Sequence, residues 1–213
     1  MQFSKTMTRQ ERIKLHLIEN DKRLKPVIDS CQFPRSRKTT DLYLALVASI
    51  VSQQLSIKAA DTIYNRFLDM FDDRYPDPER VTRTRLPQLQ KAGLSRQKAG
   101  YIKNLAGFAL QGDGLDYYQL QKRPDDALID HLTQIKGVGR WTVEMLLMFA
   151  LDRKDVFSAG DLGIQQAMKQ LYQLEDSGRE LKLRMVAIAE NWRPYRTIVC
   201  KYLWQWKSIG QTA

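Results

Sequence analysis

Two places in the sequence combine residue types that can do chemistry with a spacing that would hold them still. The first is Gly160-Asp161, directly ahead of the amphipathic run LGIQQAMKQLYQL. A carboxylate there accepts N–H bonds from the helix start, and as an ordinary cap it stabilises the helix by roughly 1 kcal/mol. The same bonds, with the helix dipole, suit an anion held in a cleft where it can face a developing positive charge. The two roles are compatible, and capping alone explains an isolated aspartate. The second place is Lys136-Gly137-Val138-Gly139-Arg140, between DDALIDHLTQI and RWTVEMLLMFAL. Without Cβ atoms, Gly137 and Gly139 can take tight-turn geometry and bring backbone N–H groups close to a ligand. Phosphate is the natural ligand. The amides opening the next helix carry partial positive charge, and Lys136 and Arg140 add full charges that hold a nucleic-acid backbone without reading sequence. Carbonyls of the same turn, those of Thr133, Ile135 and Val138, could hold a sodium or potassium ion that bridges to phosphate. The alternative reading of Gly-Val-Gly is a bare connector between packed helices.

The elements that must position these groups are helices. Apolar residues recur at helical spacing through Ile13, Leu17 and Ile18, through Leu42, Leu46, Val47 and Ile50, and through Ile57, Ala60, Ile63, Phe67 and Phe71. No segment alternates as a strand would. Stops and starts fall at Pro26, Pro34, Pro76 and Pro78, at Gly93 before a Ser95 cap, from Gly112 to Gly114, and at Pro124 with Asp125. About ten short helices result on ordinary helix lengths. KGVG is the turn of one helical hairpin, DVFSAGD is a loop, and RELKLRMVAIAENW and PYRTIVCKYLWQW are two further helices, with Pro194 at a helical first turn. Without a repeat to build a solenoid, the fold class is an all-α globule.

Composition bounds the partners. Lys and Arg number 34 against 24 acidic residues in 213, a formal charge of +10, which favours nucleic acid first and an anionic membrane second. Charge alone does not decide the matter, since many basic proteins bind no nucleic acid at all. Cys31 and Cys200 cannot build a disulfide framework or a four-thiolate site, and His16 and His131 lack a metal-ligand pattern. Beyond the hairpin ion, no cofactor is expected. MQFSKTMTRQERIKLHL lacks a signal peptide's apolar run, and no stretch is long and apolar enough to span a bilayer. The expected setting is therefore cytoplasmic and nucleoid-associated, or nuclear in a eukaryote.

LTQIKGVGRWTVEMLLMF followed by DVFSAGDLGIQQAM resembles the signature of the helix-hairpin-helix DNA glycosylase superfamily, most closely its 3-methyladenine DNA glycosylase II group. LALVASIVSQQLSIKAADTIYNRF and LQKAGLSRQKAGYIKNLA are similar to that group's other characteristic stretches, so the resemblance runs from Leu42 through Trp206. It implies two helical lobes, a central one at about 42–150 that carries the hairpin motif at about 125–150, and a second at about 1–41 with 151–213, with an active-site cleft between them. It implies a monomer that acts on double-stranded DNA containing alkylated bases, away from membranes, in base excision repair.

The resemblance also assigns residues. Asp161 matches the superfamily's catalytic aspartate. Trp141 and Trp204 match aromatic positions of the base pocket, where an indole face attracts a cationic alkylpurine better than a neutral base. Met145 and Leu162 match further lining positions, at which the group can carry Tyr. Core packing is the alternative for each of these four taken singly. Gln53-Gln54-Leu55-Ser56, after Ser52, is similar to the loop that fills the gap left by an everted nucleotide, with Gln54 favoured over Leu55 as the wedge. A simple interhelical turn is the alternative. The superfamily's lyase branch carries Lys where this chain has Trp141, and an indole cannot form a Schiff base, so base removal without strand cleavage is implied. Arg179, Lys182, Arg184, Arg193, Arg196 and Lys201 are candidates for a DNA-facing surface. Two rival readings remain: a noncatalytic hairpin-containing DNA-binding protein with Asp161 as a mere cap, and a glycosylase for deaminated or mismatched bases.

Overall fold

Side-chain caps written in the sequence set most helix starts. Thr8, Asp41, Ser56, Asp77, Ser95, Asp116 and Asp161 each accept a backbone N–H at the first turn of the helix that follows. The computed structural model describes residues 7–35, 39–112 and 114–210, and among these it is all-α, with no strand. The chain runs through α1 (Arg9–Asn20), α2 (Lys25–Ser30), α3 (Leu42–Ser52), α4 (Ile57–Leu68), α5 (Pro78–Arg83), α6 (Leu86–Gln90) and α7 (Arg96–Ala109). It continues through α8 (Tyr117–Lys122), α9 (Asp125–Leu132), α10 (Arg140–Phe149), α11 (Leu162–Tyr172), α12 (Gly178–Ala189) and α13 (Arg196–Gly210). The helices beyond the expected ten or so are pieces such as α2, α5, α6 and α8. At five or six residues they are too short to carry a readable apolar stripe.

The described residues fall into two compact units, one within Arg37–Asp152 and one within Met1–Ser36 together with Arg153–Ala213. In the first, α3 is apolar nearly all round, LYLALVASIVS, because it packs against α4, α7 and α10 at once. Leu46, Val47, Ile50 and Val51 are completely buried there. The buried face of α7, which packs against α3, α5 and α6, is a stripe of Ala99, Ile102, Leu105 and Ala106.

In the second unit α11 packs on α13, and α13 on α2, around the fully buried Trp192. Asp21, which ends α1, satisfies two of this core's polar atoms. Its Oδ2 accepts the Tyr172 hydroxyl at 2.5 Å and the Trp192 Nε1–H at 2.9 Å. Burial and the Asp21 carboxylate together push the Tyr172 phenol far above its ordinary range. One detail corrects the sequence reading. Pro194 does not open a helix, since α13 begins two residues later, at Arg196. Cys31 and Cys200 are both buried free thiols.

Candidate active site and nucleic-acid contacts

The loop before α11 delivers Asp161 to the helix's N-cap position. One oxygen, Oδ1, accepts the Ile164 N–H at 2.8 Å and the Trp204 indole N–H at 2.9 Å. The first bond follows from local sequence, since a cap carboxylate reaches the amide three residues on. The second brings in α13, the helix that carries Trp204. Gly163 makes this approach possible: a Cβ there would lie 3.1 Å from Asp161 Oδ1, 3.1 Å from Trp204 Cδ1 and 3.3 Å from its Nε1. Asp161 keeps 9% of its surface open, while its neighbour Leu162 is 71% exposed. The arrangement presents a carboxylate whose orientation is fixed by two donors, beside an indole and a large exposed aliphatic side chain.

Gly163 was missed in the sequence because its demand for space comes from a residue on another helix. A glycine in the first turn of an otherwise regular helix was the signal for it.

In the unit within Arg37–Asp152, Trp141, Met145 and Phe149 form one stripe along α10, at successive four-residue steps. They line a cavity of about 460 Å³ with Ser49 and Ser52 of α3 and Asp61 and Tyr64 of α4. Trp141 is 43% and Phe149 42% exposed, which is unlike a core indole and a core phenyl. Trp141 and Met145 thus come together in one hollow, and Asp161, Leu162 and Trp204 in one cluster.

The hairpin turn separates α9 from α10. Gly137 has φ +102°, and a Cβ there would sit 2.2 Å from Tyr101 Cγ of α7, so no other residue fits. Gly139 is different: its φ is −91° and a Cβ would meet nothing within 4 Å. Its small size leaves room for something to approach from outside. Gly139 is the N-cap of α10 and offers no side-chain cap to that helix start, which suits an incoming anion.

Several candidates for phosphate contact are already engaged within the protein. Val138 is 4% exposed and its N–H is spent on the Ile135 carbonyl at 2.9 Å, so neither its side chain nor its amide faces outward. Arg140 is not an unengaged charge, because its Nε donates to Glu144 at 3.0 Å, an i,i+4 pair whose carboxylate is buried. Lys136 is exposed. Of the basic residues proposed to face DNA, Arg184 pairs with Asp176, and Arg193 and Arg196 both pair with Asp155 and Glu190. Lys201 is 6% exposed and belongs to the interior. These charges organise their own unit, and sequence alone gives no way to tell an ion-paired helix face from a phosphate-binding one.

Between α3 and α4, Gln53-Gln54-Leu55 forms a short loop ended by the Ser56 cap. Gln54 is exposed with φ +57°, and Leu55 is 39% exposed. Gln53 points the other way, and its Nε2 donates to the Gly137 carbonyl at 3.1 Å, which ties this loop to the hairpin.

Residues 47–194 match the family model of the HhH-GPD superfamily of base excision DNA repair proteins. DNA-3-methyladenine glycosylase 1 of Schizosaccharomyces pombe is 34% identical over 195 residues, covering 91% of this chain and 85% of that protein. A solved structure of the S. pombe 3-methyladenine DNA glycosylase in complex with abasic DNA superposes with a TM-score of 0.80 at 32% identity, over 91% of this chain and 95% of that one. The DNA-3-methyladenine glycosidase of Bacillus halodurans gives 0.82 at 34% identity, over 94% and 91%. With a carboxylate that caps a helix and accepts an indole N–H, a glycine hairpin earlier in the sequence, and these likenesses over most of its length, the chain belongs to the HhH-GPD superfamily of base excision DNA repair proteins.

Proposed function

We propose that the chain is a monofunctional glycosylase that hydrolyses the N-glycosidic bond of alkylated purines, of the 3-methyladenine and 7-methylguanine type, in double-stranded DNA. The observation that carries the reading is the pair of donors on Asp161 Oδ1, Ile164 N–H and Trp204 Nε1–H, which fixes the direction of the carboxylate. A base can be cut from its sugar only after it leaves the stack. Breaking the C1′–N bond sends the electron pair to the base, which turns a cationic alkylpurine into a neutral leaving group, and leaves oxocarbenium character on the sugar. A fixed anion beside C1′ lowers that barrier electrostatically. Water then adds to C1′ and loses a proton, for which Asp161 is the acceptor at hand.

Trp141 supplies a π face and Met145 an apolar wall in the hollow along α10, and Trp204 and Leu162 supply the same beside Asp161; either π face favours a cationic base. The resemblance aligns Trp141 with the lyase branch's Lys, and an indole cannot form a Schiff base, so the expected product is an abasic site on an intact strand. At the hairpin, Lys136 and the amides at the start of α10 take phosphate, while Gln54 fills the vacated stack. The carbonyls of Thr133, Ile135 and Val138 would hold a sodium or potassium ion that would bridge to phosphate. The Ile135 carbonyl already accepts the Val138 N–H, yet a carbonyl retains a second lone pair. The protein works wherever the DNA is, in the nucleoid or the nucleus.

The test is release of free base from methylated duplex DNA, followed chromatographically, by wild type and by Asp161→Asn and Asp161→Ala. Asn keeps the cap and the two acceptor bonds, so that variant should melt within about 1 kcal/mol of wild type, whereas Ala loses the cap at a cost of about 1 kcal/mol. Both should lose most of the excision. Tight duplex binding with no base released by wild type would support the noncatalytic reading, and release of uncharged deaminated bases in preference to methylated ones would support the third. Undiminished turnover by a folded Asp161→Asn protein would remove Asp161 from the reaction.

A further inference from the structure

The stretch LQKAGLSRQKAGYIKNLA has no role in the reaction as described, yet the start of α7 that it encodes meets both DNA-contacting loops. Lys98 lies in the first turn of α7, behind the Ser95 cap. Its ammonium donates to the Val51 carbonyl at 2.7 Å and to the Gln53 carbonyl at 2.6 Å. Both acceptors sit at the C-terminal end of α3, where helix carbonyls have no partner within the helix and carry the negative end of its dipole. One turn further along α7, Tyr101 fills the space that Gly137 leaves open. Gln53, held through its carbonyl by Lys98, donates its side-chain amide to the Gly137 carbonyl and so closes the triangle of α7, loop and hairpin.

Gln54, the next residue, is thereby left in a left-handed conformation at φ +57° with its side chain exposed. For a residue with a Cβ this geometry is unfavourable and persists only where the surroundings impose it. Both of its chain neighbours are accounted for: Gln53 is pinned through its carbonyl and its amide, and the Leu55 N–H is bonded to the Ser52 carbonyl at 3.2 Å. We infer that Lys98 is a positioning residue that presets the Gln54 loop for insertion into the duplex before DNA arrives. The inference rests on the glycosylase reading and on Gln53-Gln54-Leu55 being the wedge. Burial accords with it, since desolvation holds the Lys98 ammonium below the ordinary lysine range, as expected of an amine turned inward to structural acceptors and away from phosphate.

The test compares Lys98→Met, which keeps the aliphatic stem and removes the donors, with Lys98→Arg, which restores them, and with Gln54→Ala. Two quantities are read for each: the single-turnover rate of base release from methylated duplex, and the Kd for undamaged duplex. Lys98→Met should slow release by about tenfold or more, the scale of a lost charge-assisted hydrogen bond, and leave the undamaged-duplex Kd within about twofold because the hairpin's phosphate contacts remain. Arg should recover most of the rate. A general structural defect would weaken both quantities together and would overturn the inference. Slow release by Gln54→Ala with a normal rate for Lys98→Met would refute the role of Lys98 alone. Normal rates for both would remove the wedge assignment and the inference with it. If the Met variant does not fold, Lys98→Gln, which keeps a polar donor but is too short to reach both carbonyls, is judged by the same two readouts. The wild-type rate reports separately on the glycosylase reading.

Discussion

Replacing Gly163 by Ala puts the helix and the carboxylate in opposition. Gly163 sits in the first turn of α11, where Ala is the better helix former by up to about 1 kcal/mol. The new methyl would lie 3.1 Å from both Asp161 Oδ1 and Trp204 Cδ1, whereas comfortable carbon contacts begin near about 3.5 Å. The indole must therefore retreat by about 0.4 Å, which stretches the 2.9 Å bond from Trp204 to Asp161 toward the outer limit of a hydrogen bond. Weakening that bond offsets the propensity gain, so the melting temperature should change by no more than about 4 °C. Catalysis has no such compensation. A displacement of about 1 Å in a reacting group can lower a rate a hundredfold, so less than half of that predicts a loss of several-fold to about tenfold. Single-turnover base release from methylated duplex, alongside thermal unfolding followed by circular dichroism, measures both. A Gly163→Ala protein that melts normally and excises at the wild-type rate would refute the claim that the Trp204 contact orients Asp161.

Trp204→Phe keeps an aromatic face and removes the indole donor, so release should fall about tenfold while the affinity for duplex stays near wild type, as measured by fluorescence anisotropy. Gly137→Ala should destabilise the protein by more than about 3 kcal/mol, since it combines a left-handed backbone with a Cβ driven into Tyr101. Urea unfolding should show that penalty shrinking in a Tyr101→Ala background. Gly139→Ala, with open space around its Cβ, should leave unfolding unchanged and show its effect only in DNA binding. Lys136→Ala should lower the slope of log K against log salt by about 0.9 if that side chain neutralises one phosphate. Arg140→Ala should lower it less, because Glu144 already engages its guanidinium.

What was legible in the sequence was legible because it is local. Asp161 as a cap, Ser95 and Ser56 as helix starts, and Gly137 as a turn residue each depend on neighbours a few positions away. The all-α class followed from the same short-range periodicity. Contacts between distant segments were not legible. Gly163 gives way to an indole from α13, Lys98 reaches back to carbonyls of α3, and Gly137 accommodates a ring from α7. The basic residues show a different limit. Arg193 and Arg196 read as a charged face, but Asp155 and Glu190 engage both, and hydrogen bonding from Arg193 holds Glu190 below the usual carboxylate range. An excess of positive charge counts residues without saying which are already spoken for. Arg140 with Glu144 was the exception, since that i,i+4 spacing is itself written in the sequence.

The bond from Trp204 to Asp161 also constrains how recognition of a base connects to cutting it. An indole N–H lies in the plane of the ring, so the carboxylate it meets stands at the ring's edge. The two π faces are perpendicular to that direction and are not consumed by the bond. A cationic purine stacked on one face would lie about 3.5 Å above the plane that contains the carboxylate oxygen, which is van der Waals distance. Its sugar, leaving the base at the rim, would then hang beside Asp161. On the proposed reading, one side chain would set both the height of the base and the direction of the anion. A base that stacked poorly would then place its sugar poorly, and discrimination against neutral purines would appear in the rate of bond cleavage more than in the affinity for DNA.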